Sequence, residues 1–171
     1  MNEKSMAAVS CIFVLLAGAS LAQSRTTERR SRQQDQQFLR TIAIADMTDA
    51  HLGEMAEGKA AKAAVKDFGQ AIAKDNAEEY KRLSVLANKA GETIPKGIDA
   101  RKSSVIRPLT ARKGGEFDRD FLRTEIADER KVISVLQTEA AHGTNPEIKA
   151  WAGKAVSARQ QELQQAQSLE K

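Results

Sequence analysis

Aromatic residues make up only 4% of this 171-residue chain, with one Trp, one Tyr and five Phe. No aromatic platform accompanies its basic stretches, so specific nucleic-acid binding is not an expected role. Cysteine occurs once, at Cys11, which leaves no internal disulfide to form. Helix packing has to carry the stability instead. Histidine occurs twice. His51 lies two residues from Asp49 and so faces another side of its helix, and His142 falls at the far end of a helix, so both read as solvated rather than as ligands. A Gly-rich phosphate loop and a nucleophile elbow are both missing, and no catalytic constellation can be assembled. The chain reads as non-enzymatic.

What remains is ordinary for one helical domain, at 41% hydrophobic and 29% charged residues. The net charge of +4 is local. Residues 25–32 (RTTERRSR) hold four Arg against one Glu, which leaves the rest of the chain near +1. With Arg101, Lys102, Arg107, Arg112 and Lys113 of a later connector, this arm fits peripheral contact with an anionic envelope surface.

Lys4 precedes an apolar run from Met6 to Leu21, and Ser20-Leu21-Ala22 supplies the small residues of a cleavage site. The run is shorter than the roughly 20 residues a spanning helix needs. Residues 1–22 are therefore expected to be a signal peptide cleaved after Ala22, residues 23–34 a polar basic arm, and residues 35–171 the folded domain, periplasmic or secreted.

Apolar spacing predicts four long helices. Phe38, Ile42, Ala45, Leu52 and Met55 mark the first, from about Asp35 to Lys59. Val65, Phe68, Ile72, Leu83 and Leu86 mark the second, from about Lys62 to Ala90, with Gly91 placed to cap it in a left-handed conformation. Residues 91–115 hold two of the three prolines and four of the ten glycines. They form a connection longer than the two to eight residues usual between antiparallel helices, with a short helix around Ile98 to Ile106. The third helix runs from about Glu116 to Ala141. Asn145-Pro146 begins the fourth, Asn as N-cap and Pro where a missing N–H costs nothing. The predicted fold is an all-α antiparallel four-helix bundle with a longer crossover between its second and third helices, monomeric or weakly associating.

Near its midpoint each long helix carries an acid at or beside a position that the apolar repeat assigns to a hydrophobe: Asp49, Asp75, Asp128 with Glu129, and Glu162. Buried charge is costly unless paired, protonated or metal-bound, so acids converging on one layer make a candidate metal site. Its ligands would be Asp49, Asp75, Asp128, Glu129 and Glu162. An all-carboxylate set without imidazole favours Mn, Mg or Ca and holds Fe less firmly.

Several short motifs resemble domain-of-unknown-function family 4142: DQQFL at 35–39, VKDFGQAIAKD at 65–75, the Gly91 to Pro95 turn, GGEFDRDF at 114–121 and NPEIKAWAGK at 145–154. The resemblance spans Asp35 to about Leu169 and implies an exported bacterial bundle of ferritin-like fold. It also implies Glu on the first helix, Asp-His on the second and third, and His on the fourth. Here those positions hold Asp49, Asp75-Asn76, Asp128-Glu129 and Glu162, with no histidine among them. Two functions follow as expectations. The first is an exported, non-enzymatic envelope bundle with an interaction or stress role, needing no cofactor. The second is a divalent-metal protein (Mn, Fe, Mg or Ca) using the carboxylate layer. No partner is identifiable from the sequence.

Overall fold

In the computed structural model, the described residues are 6–171, with side chains described at Thr26 and from Glu28 onward. Five helices account for them: α1 (Met6–Lys59), α2 (Ala63–Lys89), α3 (Ala100–Thr110), α4 (Gly114–His142) and α5 (Pro146–Glu170). The expected signal segment, Cys11 included, lies outside the residues whose side chains are described. Among the described residues no helix is long and apolar enough to cross a membrane.

Helix α1 begins well before the expected start at about Asp35. Residues 23–34 are helical, and the side chains described there are almost all exposed. That stretch contains neither Gly nor Pro and is rich in Arg and Gln, so nothing in it breaks a helix that the folded part has already nucleated. The other ends follow the predicted signals. Gly91 adopts φ +73°, and the N–H groups of Gly91 and Glu92 donate to the carbonyls of Asn88 and Ala87 at 3.1 and 2.9 Å. Both bonds belong to a Schellman cap. Asn145 Oδ1 accepts from the N–H groups of Glu147 and Ile148 at 2.9 and 3.2 Å, and Pro146 occupies the first turn of α5.

The bundle is made of two antiparallel hairpins, α1 with α2 and α4 with α5. At Gly53 and Gly69 the first pair touches backbone to backbone: a Cβ on Gly53 would collide with the Gly69 carbonyl and lie 2.9 Å from the Ala73 nitrogen. The hairpins join along α1 and α4, which also run antiparallel. At one end Asp118 Oδ1 and Oδ2 accept from the N–H groups of Ala61 and Lys62 at 2.9 and 3.0 Å. At the other, Asp35 Oδ2 accepts from the Thr144 hydroxyl at 3.0 Å. Helices α2 and α4 consequently run the same way, and the link between them must travel the length of the bundle. Tyr80 Oη donates to the Pro95 carbonyl at 2.8 Å, α3 buries Ile106 and Leu109, and Lys59 Nζ donates to the Thr110 carbonyl at 2.6 Å.

Two hydrophobic clusters fill the interior. One contains Leu52, Phe68, Ile72, Phe117, Phe121 and Leu122. The other contains Phe38, Leu39, Leu83, Val132, Leu136 and Ile148. On every long helix the two are separated by a polar stretch near the middle, and those stretches meet.

Candidate metal centre

Arg159 on α5 organises the polar layer. It is fully buried, one of the largest buried side chains in the protein. Its Nη2 is paired with Asp46 in a very short contact and lies 3.1 Å from Glu79 Oε2. Its Nη1 lies 2.9 Å from Glu129 Oε1 and 3.4 Å from both Asp49 Oδ2 and Glu162 Oε2. One guanidinium thus reaches acids on α1, α2, α4 and its own helix, which its planar fork of donors suits better than a lysine ammonium would. A sixth acid, Glu125, is 1% exposed and joins the layer from α4, one turn before Glu129.

Carboxylates outnumber the cation by six to one. Burial, the largest effect, pushes Asp49 up to about 7 and Glu129 to about 8, against the opposing pull of Arg159 and with help from neighbouring acids. The same desolvation raises Asp46 and Glu162, although Arg159 opposes it at both. It raises Glu125 well above the ordinary range, and there the neighbouring charges of Asp49, Glu129, Asp128 and Glu162 add to it. Near neutral pH the layer holds protons as well as the guanidinium.

Within the layer, one oxygen each of Asp49, Glu125 and Glu129 lies within 4.8 Å of the other two. Asp49 Oδ1, Glu125 Oε1 and Glu129 Oε2 are buried without a hydrogen-bond partner. Arg159 therefore satisfies one oxygen of Asp49 and one of Glu129, while the other oxygen of each is unpartnered. A buried polar atom normally has a partner, and three such oxygens on neighbouring carboxylates fit a shared cation or proton. Their chemistry is that of a hard-cation site, with oxygen donors and no thiolate or imidazole.

Of the acids singled out by sequence, Asp49, Glu129 and Glu162 come together. Asp75 does not: it is exposed, and its neighbour Asn76 turns inward, its Nδ2 donating to the Ile72 carbonyl at 3.0 Å. Successive residues on a helix point about 100° apart, and Asn76 and Glu79 share the inner face while Asp75 misses it. Asp128 is buried but is held by Lys102 Nζ at 2.7 Å and Lys131 Nζ at 3.0 Å. Burial pushes its carboxyl up, but those two lysines outweigh it and hold it below the usual range. It fastens α3 to α4 by an ion pair. Sequence reading missed Asp46, Glu79 as a member of the layer, Glu125 and Arg159. Three of them lie one turn from an acid that was found: Asp46 before Asp49, Glu125 before Glu129, and Arg159 before Glu162. His51 is exposed, with Nδ1 3.9 Å from Glu54 Oε2, and His142 is exposed at the end of α4.

The model of the family described as "Domain of unknown function (DUF4142)" matches residues 20–169, and the chain belongs to that family. Among solved structures, CopM in its Cu(II)-bound form is similar at a TM-score of 0.67 and 18% identity, covering 80% of this chain and 95% of that one. CopM in an Ag-bound form is similar at 0.64 and 19% identity, covering 78% and 93%. A DUF305 fragment from Deinococcus radiodurans is similar at 0.70 and 14% identity, covering 80% and 95%. At these identities the likeness is one of fold. No curated protein sequence matches the chain.

Proposed function

We propose that this member of family 4142 is an exported, non-enzymatic bundle of ferritin-like topology that holds one hard divalent cation between Asp49, Glu125 and Glu129. The observation that carries the reading is the trio of mutually close, buried carboxylates, each with an oxygen lacking a partner. Bundle interiors are where facing helices place carboxylate metal sites. The crossover along the bundle supports the ferritin-like comparison.

CopM is similar in fold and was solved with copper and silver. Those ions favour sulfur and imidazole donors, and the layer described above offers carboxylates. Copper is therefore not the ion this donor set suits. Mn²⁺, Fe²⁺, Mg²⁺ and Ca²⁺ are candidates, and Mn²⁺ is a convenient probe. Export, and a place in the periplasm or beyond, rest on the signal-like residues 1–22.

Arg159 favours a second reading. A guanidinium already at the centre, with protons on the remaining acids, balances charge without metal, and the protein would then serve the envelope as a scaffold or interaction module. Titration calorimetry with Mn²⁺ separates the two. The metal reading expects one saturable site in the wild type and its loss in Glu125→Gln, because Glu125 does not touch Arg159. Absence of saturable binding for Mn²⁺, Fe²⁺, Mg²⁺ and Ca²⁺ would leave the metal-free scaffold.

A further inference from the structure

A cavity of about 370 Å³ opens between α1, α3 and α4, outside the carboxylate layer. Its apolar wall is formed by Ile44, Ala45, Val105, Val132 and Val135. Ile44, a buried core residue at 7% exposure, belongs to neither hydrophobic cluster and lines this cavity. Val105, on the α3 side, is 42% exposed and one of two large exposed hydrophobes among the described residues. Behind the exposed Val105 and half-buried Val135, the buried Ile44, Ala45 and Val132 form an apolar floor of the kind that ligand pockets have.

The charges around it have one sign to spare. Asp128 is neutralised by Lys102 and Lys131, and Asp99 is occupied as the N-cap of α3, accepting from the Lys102 N–H at 2.9 Å. Arg40 on α1 and Arg101 on α3 also line the cavity, both are exposed, and neither forms an ion pair among the described residues. An apolar slot bordered by two uncommitted guanidinium groups is complementary to an alkyl chain that ends in an anion.

We propose that this groove binds a free single-chain fatty acid, its alkyl chain against Ile44, Val105, Val132 and Val135 and its carboxylate against Arg40 and Arg101. At roughly 30 Å³ for a water-sized group, the volume suits a chain of about ten carbons with its head group. The site is independent of the metal reading, since none of Asp49, Glu125 and Glu129 lines it.

Calorimetry of the purified protein with decanoate and with 1-decanol, at a pH where decanoate is ionised, tests the proposal. Decanoate is expected to bind at one to one and decanol at least tenfold more weakly. Arg40→Gln with Arg101→Gln should weaken decanoate at least tenfold and leave decanol and the melting temperature unchanged. Val105→Trp, which fills the slot from its exposed side, should block both ligands. Equal affinity for the acid and the alcohol, indifference to the double arginine variant, or absence of saturable decanoate binding would overturn it. Sedimentation with phosphatidylglycerol vesicles distinguishes a bilayer: pelleting that the double arginine variant abolishes, with no saturable decanoate binding by the wild type, would assign the two arginines to a membrane surface and refute the fatty-acid site.

Discussion

Arg159 Nη1 donates to Glu129 Oε1 at 2.9 Å, while Oε2 of the same carboxylate is buried with no partner. One carboxylate thus contacts the guanidinium with one oxygen and has the other unpartnered. Its neighbours show the same division. Asp49 meets Arg159 through Oδ2 and has Oδ1 unpartnered, and Glu125 contributes an unpartnered Oε1. The layer is part salt bridge and part open acid cluster.

Removing the guanidinium should be severe. Arg159→Met keeps much of the apolar stem but strands Asp46, Glu79 and Glu129 together. Breaking a buried ion pair from one side costs about 3–5 kcal/mol, and urea denaturation near pH 7 should show a loss of that order. The loss should shrink at pH 5, where more of the acids carry protons. A variant as stable as the wild type at pH 7 would mean that protons alone can balance the layer.

Stability of the metal-free protein should fall as pH rises from about 5 to 8. In the unfolded chain Asp and Glu release their protons near 3.8 and 4.5, whereas in the fold Asp49 and Glu129 hold theirs to about 7 and 8. Between those limits the folded state binds more protons, so each step up in pH favours unfolding. Asp128 has the opposite sign, but its loss of stability begins only as pH falls below the ordinary carboxylate range. Melting temperatures across pH 5 to 8, measured with a chelator present, check this. A curve that rises over that range would refute it.

Glu125→Gln separates the two states of the site. Without metal it removes a buried carboxyl with no cationic partner and should stabilise the fold at pH 7.5 by about 1 kcal/mol, roughly 2–4 °C in melting temperature for a chain of this size. With Mn²⁺ at a hundredfold over its dissociation constant, the wild type should gain about 2.7 kcal/mol by linkage and the variant far less. Thermal scans of both proteins, with and without the ion, measure both effects.

Two positions singled out in the sequence lie outside the layer and differ in what they hold. Asp75→Asn alters an exposed side chain and is expected to change stability by no more than about 0.5 kcal/mol and Mn²⁺ affinity not at all. Asn145→Ala removes both cap bonds of α5 and should cost about 1 kcal/mol in urea denaturation.

The contrast between Asp75 and Asn145 indicates how far the sequence could be read. Helix ends are written locally. Asn145-Pro146 and Gly91 each act through backbone groups a few residues away, and their caps formed as expected. The polar layer is a tertiary feature, visible only as gaps in apolar stripes, and a gap locates a helical turn without choosing a residue within it. Asp49, Glu129 and Glu162 were found because they fall on or next to the stripe. Asp75 was selected for its charge where Asn76 and Glu79 have the right angle. Arg159 left no trace of this kind, since a lone Arg on a helix ordinarily reads as solvated. Only the one-turn spacings of Asp46 to Asp49, Glu125 to Glu129 and Arg159 to Glu162 could have revealed a second tier of charge on the inner face. The start of the first helix was legible only from Asp35, where the apolar stripe begins; residues 23–34 carry no such stripe, yet they are sound helix formers and continue the helix.

The central claim is that Asp49, Glu125 and Glu129 enclose a divalent cation, and crystals grown with Mn²⁺ and measured for manganese anomalous scattering test it most directly. The account predicts one strong internal peak within coordinating distance of oxygens from all three carboxylates, on the side of Glu129 away from Arg159, and no such peak in Glu125→Gln crystals. A map without density between these residues, or with manganese only at the protein surface, would contradict it.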